Sequence, residues 1–148
     1  MRQSHLAMLR RLLRPLRSRL DALFARGVVV DSNATPKMQE LQVDFGHGEI
    51  RDRVEHFEPY GFTSRPFPGA EVAGLAPSGG RTAVVSVVVA DRRFRLQALE
   101  RGEVALYTDE GTAIVLGHGG IVRVTCSEFL VDASTRVTIT APAINLNS

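Results

Sequence analysis

Val122-Arg123-Val124-Thr125-Cys126, Phe129-Leu130-Val131, Val137-Thr138-Ile139-Thr140 and Ile144-Asn145-Leu146 succeed one another at intervals of roughly seven to eight residues. Most of these short strands are apolar on a single face. One-strand repeats of this kind cannot bury such a face alone, because each needs neighbours to close a core. Three copies winding about a common axis would bury it. Strands that merely extend the sheet of a preceding domain would do so too, and periodicity leaves both arrangements open. Thr, Ser and Asn at the outward positions suit a slender shaft in solvent. A one-residue slip in register would exchange the two faces.

Upstream, residues 26–117 read as short strands separated by turns. Val28-Val29-Val30 leads into a predicted turn at Asp31-Ser32-Asn33, and Met38 to Val43 roughly alternates apolar with polar. Gly46-His47-Gly48 breaks that strand, and a third stretch runs from Ile50 to Phe57, ending at Pro59-Tyr60-Gly61. Pro66-Phe67-Pro68-Gly69 predicts a rigid turn of type II geometry about Pro68-Gly69. Glu71 to Leu75 resumes a strand. Thr82 to Ala90, with its run of valines, predicts a strand covered on both faces. Glu103 to Tyr107 and Ala113 to Leu116 form a predicted hairpin about Asp109-Glu110-Gly111. The expected fold class is mainly β, a small OB-type antiparallel barrel over 26–117 followed by the start of a shaft over 118–148.

Residues 1–25 differ in period. Leu6, Leu9, Leu13, Leu16, Leu20 and Leu23 are spaced 3, 4, 3, 4 and 3 apart, a helical seam suited to another helix. Pro15 predicts a kink or two short helices, roughly 4–13 and 16–25, and Gly27 offers a stop. Arginines, among them Arg10, Arg14 and Arg17, occupy the other faces. Docking on a partner, covering its own domain, an anionic membrane surface, nucleic acid and an organellar presequence all fit such an arm.

The chain has 148 residues and a formal net charge of +2, but residues 1–26 carry +6 and the remainder −4. Attraction to phosphate is therefore confined to the arm. No apolar run approaches the ~20 residues of a membrane-spanning helix, so a soluble protein is expected. The single cysteine, Cys126, cannot form an internal disulfide and is expected to be a small buried side chain. His5, His47, His56 and His118 make no metal pair at ligand spacing. Gly117-His118-Gly119-Gly120 lacks the lysine and helix of a phosphate loop and reads as a tight turn. Asp44 with Glu49, and Glu55 with Glu58, read as solvated turn carboxylates. No enzyme, no cofactor and no metal are expected. An OB-type nucleic-acid binder would need a basic groove with aromatic platforms, whereas this region is acidic and its aromatics sit in one Pro/Gly-rich loop.

Several stretches together resemble the Mu-like phage baseplate spike family, also called baseplate assembly protein V. They are Lys37 to Val43, Val54 to Ser64, Pro66 to Val72, Asp91 to Arg95 and Gly102 to Gly111, in the family's order. The resemblance implies a homotrimeric spike at the virion tail baseplate, assembled in the host bacterial cytoplasm. It implies an OB-fold domain in each chain and an intertwined β-helical needle. It further implies contact with a hub protein and the tail tube, and transient contact with the bacterial outer membrane on sheath contraction. On that reading Val124, Val131, Val137, Ile139, Ile144 and Leu146 form the trimer interior, and the arm's leucines and arginines meet the hub. A tailocin or similar injection device would share the fold. The His-x-His iron motif at the apex of longer members has no counterpart here, which implies a separate tip protein or a missing distal segment.

Overall fold

The computed structural model describes residues 23–76 and 83–145. Leu6, Leu9, Leu13, Leu16, Leu20, Arg10, Arg14 and Arg17 lie outside the described residues, as does Leu146. The chain is mainly β and divides into two compact units, Met1–Arg95 and Leu96–Ser148.

The first unit contains β1 (Phe24–Asn33), β2 (Glu40–Asp44), β3 (Ile50–Glu55), β4 (Glu71–Leu75) and β5 (Val85–Ala90), in the sheet order β3-β2-β1-β4-β5. Every neighbouring pair is antiparallel. β1 organises the sheet because its two halves serve different partners. Phe24 to Val28 pair with β4, and Val28 to Asn33 pair with β2. Register shifts interrupt β1–β2 between Val29 and Asp31, β2–β3 between Leu41 and Val43, and β4–β5 between Ala73 and Gly74. Such bulges bend strands and increase their twist. The sheet curls until its edges meet at a parallel bridge between His56 and Ser86, where the Phe57 amide donates to the Ser86 carbonyl at 2.8 Å. Val29, Leu41, Val43, Val54, Ala70 and Val72 fill the interior, with Phe45 and Val89 packed against them.

Several local expectations hold. Gly46-His47-Gly48 turns the chain, with the Glu49 amide donating to the Gly46 carbonyl at 3.0 Å. The type II turn is present: the Ala70 amide donates to the Phe67 carbonyl at 3.1 Å, and Gly69 has φ +92°. Others are corrected. The predicted second helix of the arm, 16–25, does not reach its end, because Phe24 and Ala25 already pair with Leu75 and Gly74. Gly27 is no helix stop. It lies inside β1 where a Cβ would meet Val43 Cγ1 at 2.5 Å and the Asp44 carbonyl at 2.8 Å. Glycine in a strand marks such close backbone approach. Asp31-Ser32-Asn33 is strand, not turn. The bulge at Val30 brings Ser32 to the buried side, and the turn follows, with Asn33 Oδ1 accepting from the Thr35 amide at 3.1 Å. β5, expected to be covered on both faces, is an edge strand with Val87 and Val88 exposed.

The second unit contains β6 (Val104–Tyr107), β7 (Ala113–Leu116) and β8 (Val122–Thr125), in the order β6-β7-β8. The β6–β7 hairpin turns as expected, with the Thr108 amide donating to the Thr112 carbonyl at 2.9 Å and Gly111 at φ +87°. Its sheet membership differs. β7 pairs on both sides, so the expected division at 117/118 falls within this sheet, and the chain divides instead at 95/96. The glycine-rich segment 117–120 is the tight turn between β7 and β8, closed by the Gly117 amide on the Ile121 carbonyl at 2.9 Å.

Gly27→Ala should destabilise the first unit by ~1–3 kcal/mol, the usual cost of forcing atoms into packed space. Denaturant unfolding followed by far-UV circular dichroism measures this, and an unchanged midpoint would contradict the close approach.

Candidate assembly surface

The second unit leaves one apolar face uncovered, and the register explains how. Val104 pairs with Leu116 and Leu116 with Val122; Leu106 pairs with Ile114 and Ile114 with Val124. Directly opposed residues share a face, so these six aliphatic side chains form two cross-strand rows on one side of the sheet. Each is 40–63% exposed in the single chain. The opposite face carries Ala105, Val115 and Arg123 in one row, and Tyr107, Ala113 and Thr125 in the other. Complete burial of an aliphatic side chain gains roughly 1.5–3 kcal/mol. Even half of that, over six residues, rivals the ~5–15 kcal/mol net stability of an ordinary domain.

Beyond β8, residues 126–145 join no sheet among the described residues. Of the residues expected inside a trimer, Val124 belongs to the apolar face, while Val131, Val137, Ile139 and Ile144 follow it, all exposed in the single chain. Phe129 and Leu130 are exposed as well. The expected strands at 129–131, 137–140 and 144–146 have no pairing partner within one chain's described residues. A buried backbone amide must find a partner, so these segments can leave water only by pairing with something else. Cys126, expected to be buried, is exposed for the same reason. The sequence places Val104, Leu106, Ile114 and Leu116 in the barrel and Val122 in the first shaft strand; because 104–107 and 113–116 are apolar at every position, local pattern does not show which face is left uncovered.

The charged groups serve local structure. Arg92 donates to Glu71 Oε2 at 2.8 Å and Arg26 does so at 3.1 Å, so β1, β4 and the end of β5 share one carboxylate. The Arg92 hydrogen bond holds the Glu71 carboxyl below its ordinary value, and Arg26 adds to this. Arg93 does the same for Asp91 while donating to the Pro68 carbonyl at 2.9 Å. Asp44 Oδ1 accepts from the Gly46 amide at 2.7 Å, and Glu49 pairs with Arg51 at 2.9 Å. These are the turn carboxylates that the sequence suggested. Among the described residues, no group of three or more His, Cys, Asp or Glu side chains is placed to hold a metal ion.

Comparison with known proteins gives this surface a context. Residues 26–93 match the family described as Bacteriophage Mu Gp45, N-terminal. The chain is similar to the baseplate puncturing device gp45 of Escherichia phage Mu, at 39% identity over 134 residues covering 90% of this chain and 68% of that protein. It is also similar to the Mu-like prophage FluMu protein gp45 of Haemophilus influenzae, at 33% identity over 125 residues covering 84% and 68%.

Substituting the facing pair Ile114→Lys and Val124→Lys should abolish the association that covers this face. Sedimentation mass should fall to that of one chain, while Arg123→Gln on the opposite face leaves it unchanged. A wild-type mass of one chain would mean that the face stays open in solution, and an unchanged oligomeric mass in the double variant would mean that association does not run through it.

Proposed function

The chain belongs to the bacteriophage Mu Gp45 family, and on that premise we propose that it is a structural baseplate protein, the homotrimeric central spike of a contractile tail. In this role it closes the end of the tail tube and is driven through the bacterial outer envelope when the sheath contracts. The observation that carries the proposal is the joint one. A chain similar over 134 residues to a baseplate puncturing device also leaves the aliphatic face of its second unit uncovered.

In this reading the five-stranded unit is an OB-type barrel. Support comes from the order β3-β2-β1-β4-β5 with an edge-to-edge bridge at His56 and Ser86, which suits a five-stranded, partly open Greek-key barrel. The second unit begins the shaft. Val104, Leu106, Ile114, Leu116, Val122 and Val124 from three copies enclose its first layers, and Val131, Val137, Ile139, Ile144 and Leu146 continue inward along the needle. The function is mechanical rather than catalytic. An axial load passes into inter-chain hydrogen bonds and a shared apolar interior, so no single chain carries it alone. Such an interface is of the large, obligate, apolar class, above ~2,000 Å². The arm, with its leucine seam and arginines, meets the hub and tube end of the baseplate.

Light scattering at micromolar concentration should give three copies of the 16.2 kDa chain, about 49 kDa. A stable single-chain species would overturn the trimeric spike. Deleting residues 1–22, which spares β1, should preserve that mass while removing the protein from purified tails. Normal incorporation of the shortened chain would refute a hub contact through the arm.

A further inference from the structure

Four polar side chains are buried in the described residues, Ser32, Gln39, His56 and Ser86, and they are not scattered. His56 Nδ1 and Ser86 Oγ lie 2.9 Å apart at the seam of the sheet, and the His56 amide donates to the Gln39 carbonyl at 2.8 Å. Gln39 Nε2 then reaches the Ser64 carbonyl at 2.7 Å, and Ser32 Oγ donates to the Pro66 carbonyl at 3.1 Å. Burying polar groups is costly unless they are bonded. Two of the four side chains, Gln39 and Ser32, hold the loop of residues 57–67, while His56 and Ser86 bond each other where that loop begins, with the Phe57 amide on the Ser86 carbonyl; Gln39 Oε1 is buried without a partner.

The loop's own charged side chains, a half-buried Glu58 and an exposed Arg65, bond backbone and hydroxyl groups nearby. Glu58 accepts from the Ser64 amide at 2.6 Å through Oε1 and from Thr63 Oγ1 at 3.0 Å through Oε2. Arg65 donates to the Ser32 carbonyl at 2.9 Å. Phe67 is held by Phe94, with ring centroids 5.8 Å apart. At the tip a tight turn, with the Phe62 amide on the Pro59 carbonyl at 3.0 Å and Gly61 at φ +83°, presents Tyr60 and Phe62 outward. Tyr60 is 104% exposed and Phe62 59%. The result is an uncharged aromatic knob on a loop fixed from beneath. Fixing a contact group in advance lowers the entropy cost of binding, and buried aromatic anchors dominate interface energies.

Resting on the baseplate reading, we propose that the 57–67 loop is a docking knob for a different protein of the baseplate, one presenting an uncharged apolar socket to Tyr60 and Phe62. Two grooves formed by described residues do not match such a tip, being edged with charge, one by Arg26, Asp44, Glu71 and Arg92, the other by Glu100, Glu103 and Arg123. The self-complementary apolar surface lies elsewhere, in the aliphatic rows of the second unit.

The full chain carrying Tyr60→Ala and Phe62→Ala should keep its thermal midpoint and its oligomeric mass, since both side chains are exposed. Its incorporation into tails assembled in place of wild type should fall ~10-fold or more, the scale of an interface hot spot. A photo-crosslinkable phenylalanine analogue at position 60 of the otherwise wild-type chain should join it, in purified tails, to a polypeptide other than itself. Unchanged incorporation overturns the proposal, as does a crosslink to a second copy or a loss of oligomeric mass in the variant. Absence of the wild-type chain from tails defeats the baseplate reading itself, whereas equal presence of wild type and variant defeats the knob alone.

Discussion

A three-stranded sheet has two faces, and the second unit supplies no cover for the one lined by Val104, Leu106, Ile114, Leu116, Val122 and Val124. That deficit constrains everything downstream of Arg95. The hairpin and β8 satisfy one another's backbone groups, yet their aliphatic side chains remain in contact with water. The segment after β8 has apolar residues and no sheet to join within the described residues. On the proposed trimeric reading, an interior is supplied by other copies of the chain. For a homo-oligomer it comes through symmetry, since identical strands offer identical rows. Folding of this unit and association are then one process, with stability that depends on concentration.

The first unit meets the opposite demand, that of closing on itself with few residues. Its core is small: among the described residues the central cluster holds six buried apolar side chains, the largest of them Leu41. Three register shifts give the curvature, and Gly27 gives the clearance where β1 changes partners. What the small core does not hold, polar bonds do. The His56–Ser86 contact lies at the meeting of the two sheet edges, and an edge that is closed is no longer a template for wrong pairing.

Much of this was legible in the residues, and what was missed shares one cause. Turn chemistry is local, so Phe67 to Ala70, Gly46 to Gly48 and Thr108 to Thr112 were all readable from proline, glycine and aspartate alone. Strand existence was readable from alternation. Sheet membership was not, because pairing partners lie far apart in sequence. β5 looked central from its valines but is an edge, and the β6–β7 hairpin looked like barrel but pairs with β8. β1 was cut short at Asp31-Ser32-Asn33 because a bulge shifts the inward position by one residue, which no local pattern reveals. The candidate surface was half legible. Val124 and the exposed residues beyond it follow from a one-sided periodicity, whereas Leu106 and Ile114 acquire their role only from register.

The contrast between the units bears on how a puncturing device could be built. A part that must bear load gains from spreading its hydrogen bonds and apolar contacts over several chains, because failure then requires all of them to yield together. A part that must be positioned gains from folding alone, since its binding surface is complete before assembly begins. The distribution of exposed side chains follows that division. Branched aliphatics, stiff at χ1 and suited to packing between like strands, dominate the second unit, while the first unit sets Tyr60 and Phe62 on a loop tied down by its buried polar groups. The aliphatic rows can be satisfied by copies of themselves, and the aromatic tip is better satisfied by something differently shaped. One chain thus carries two kinds of apolar exposure, which the proposed reading assigns to self-assembly and to attachment.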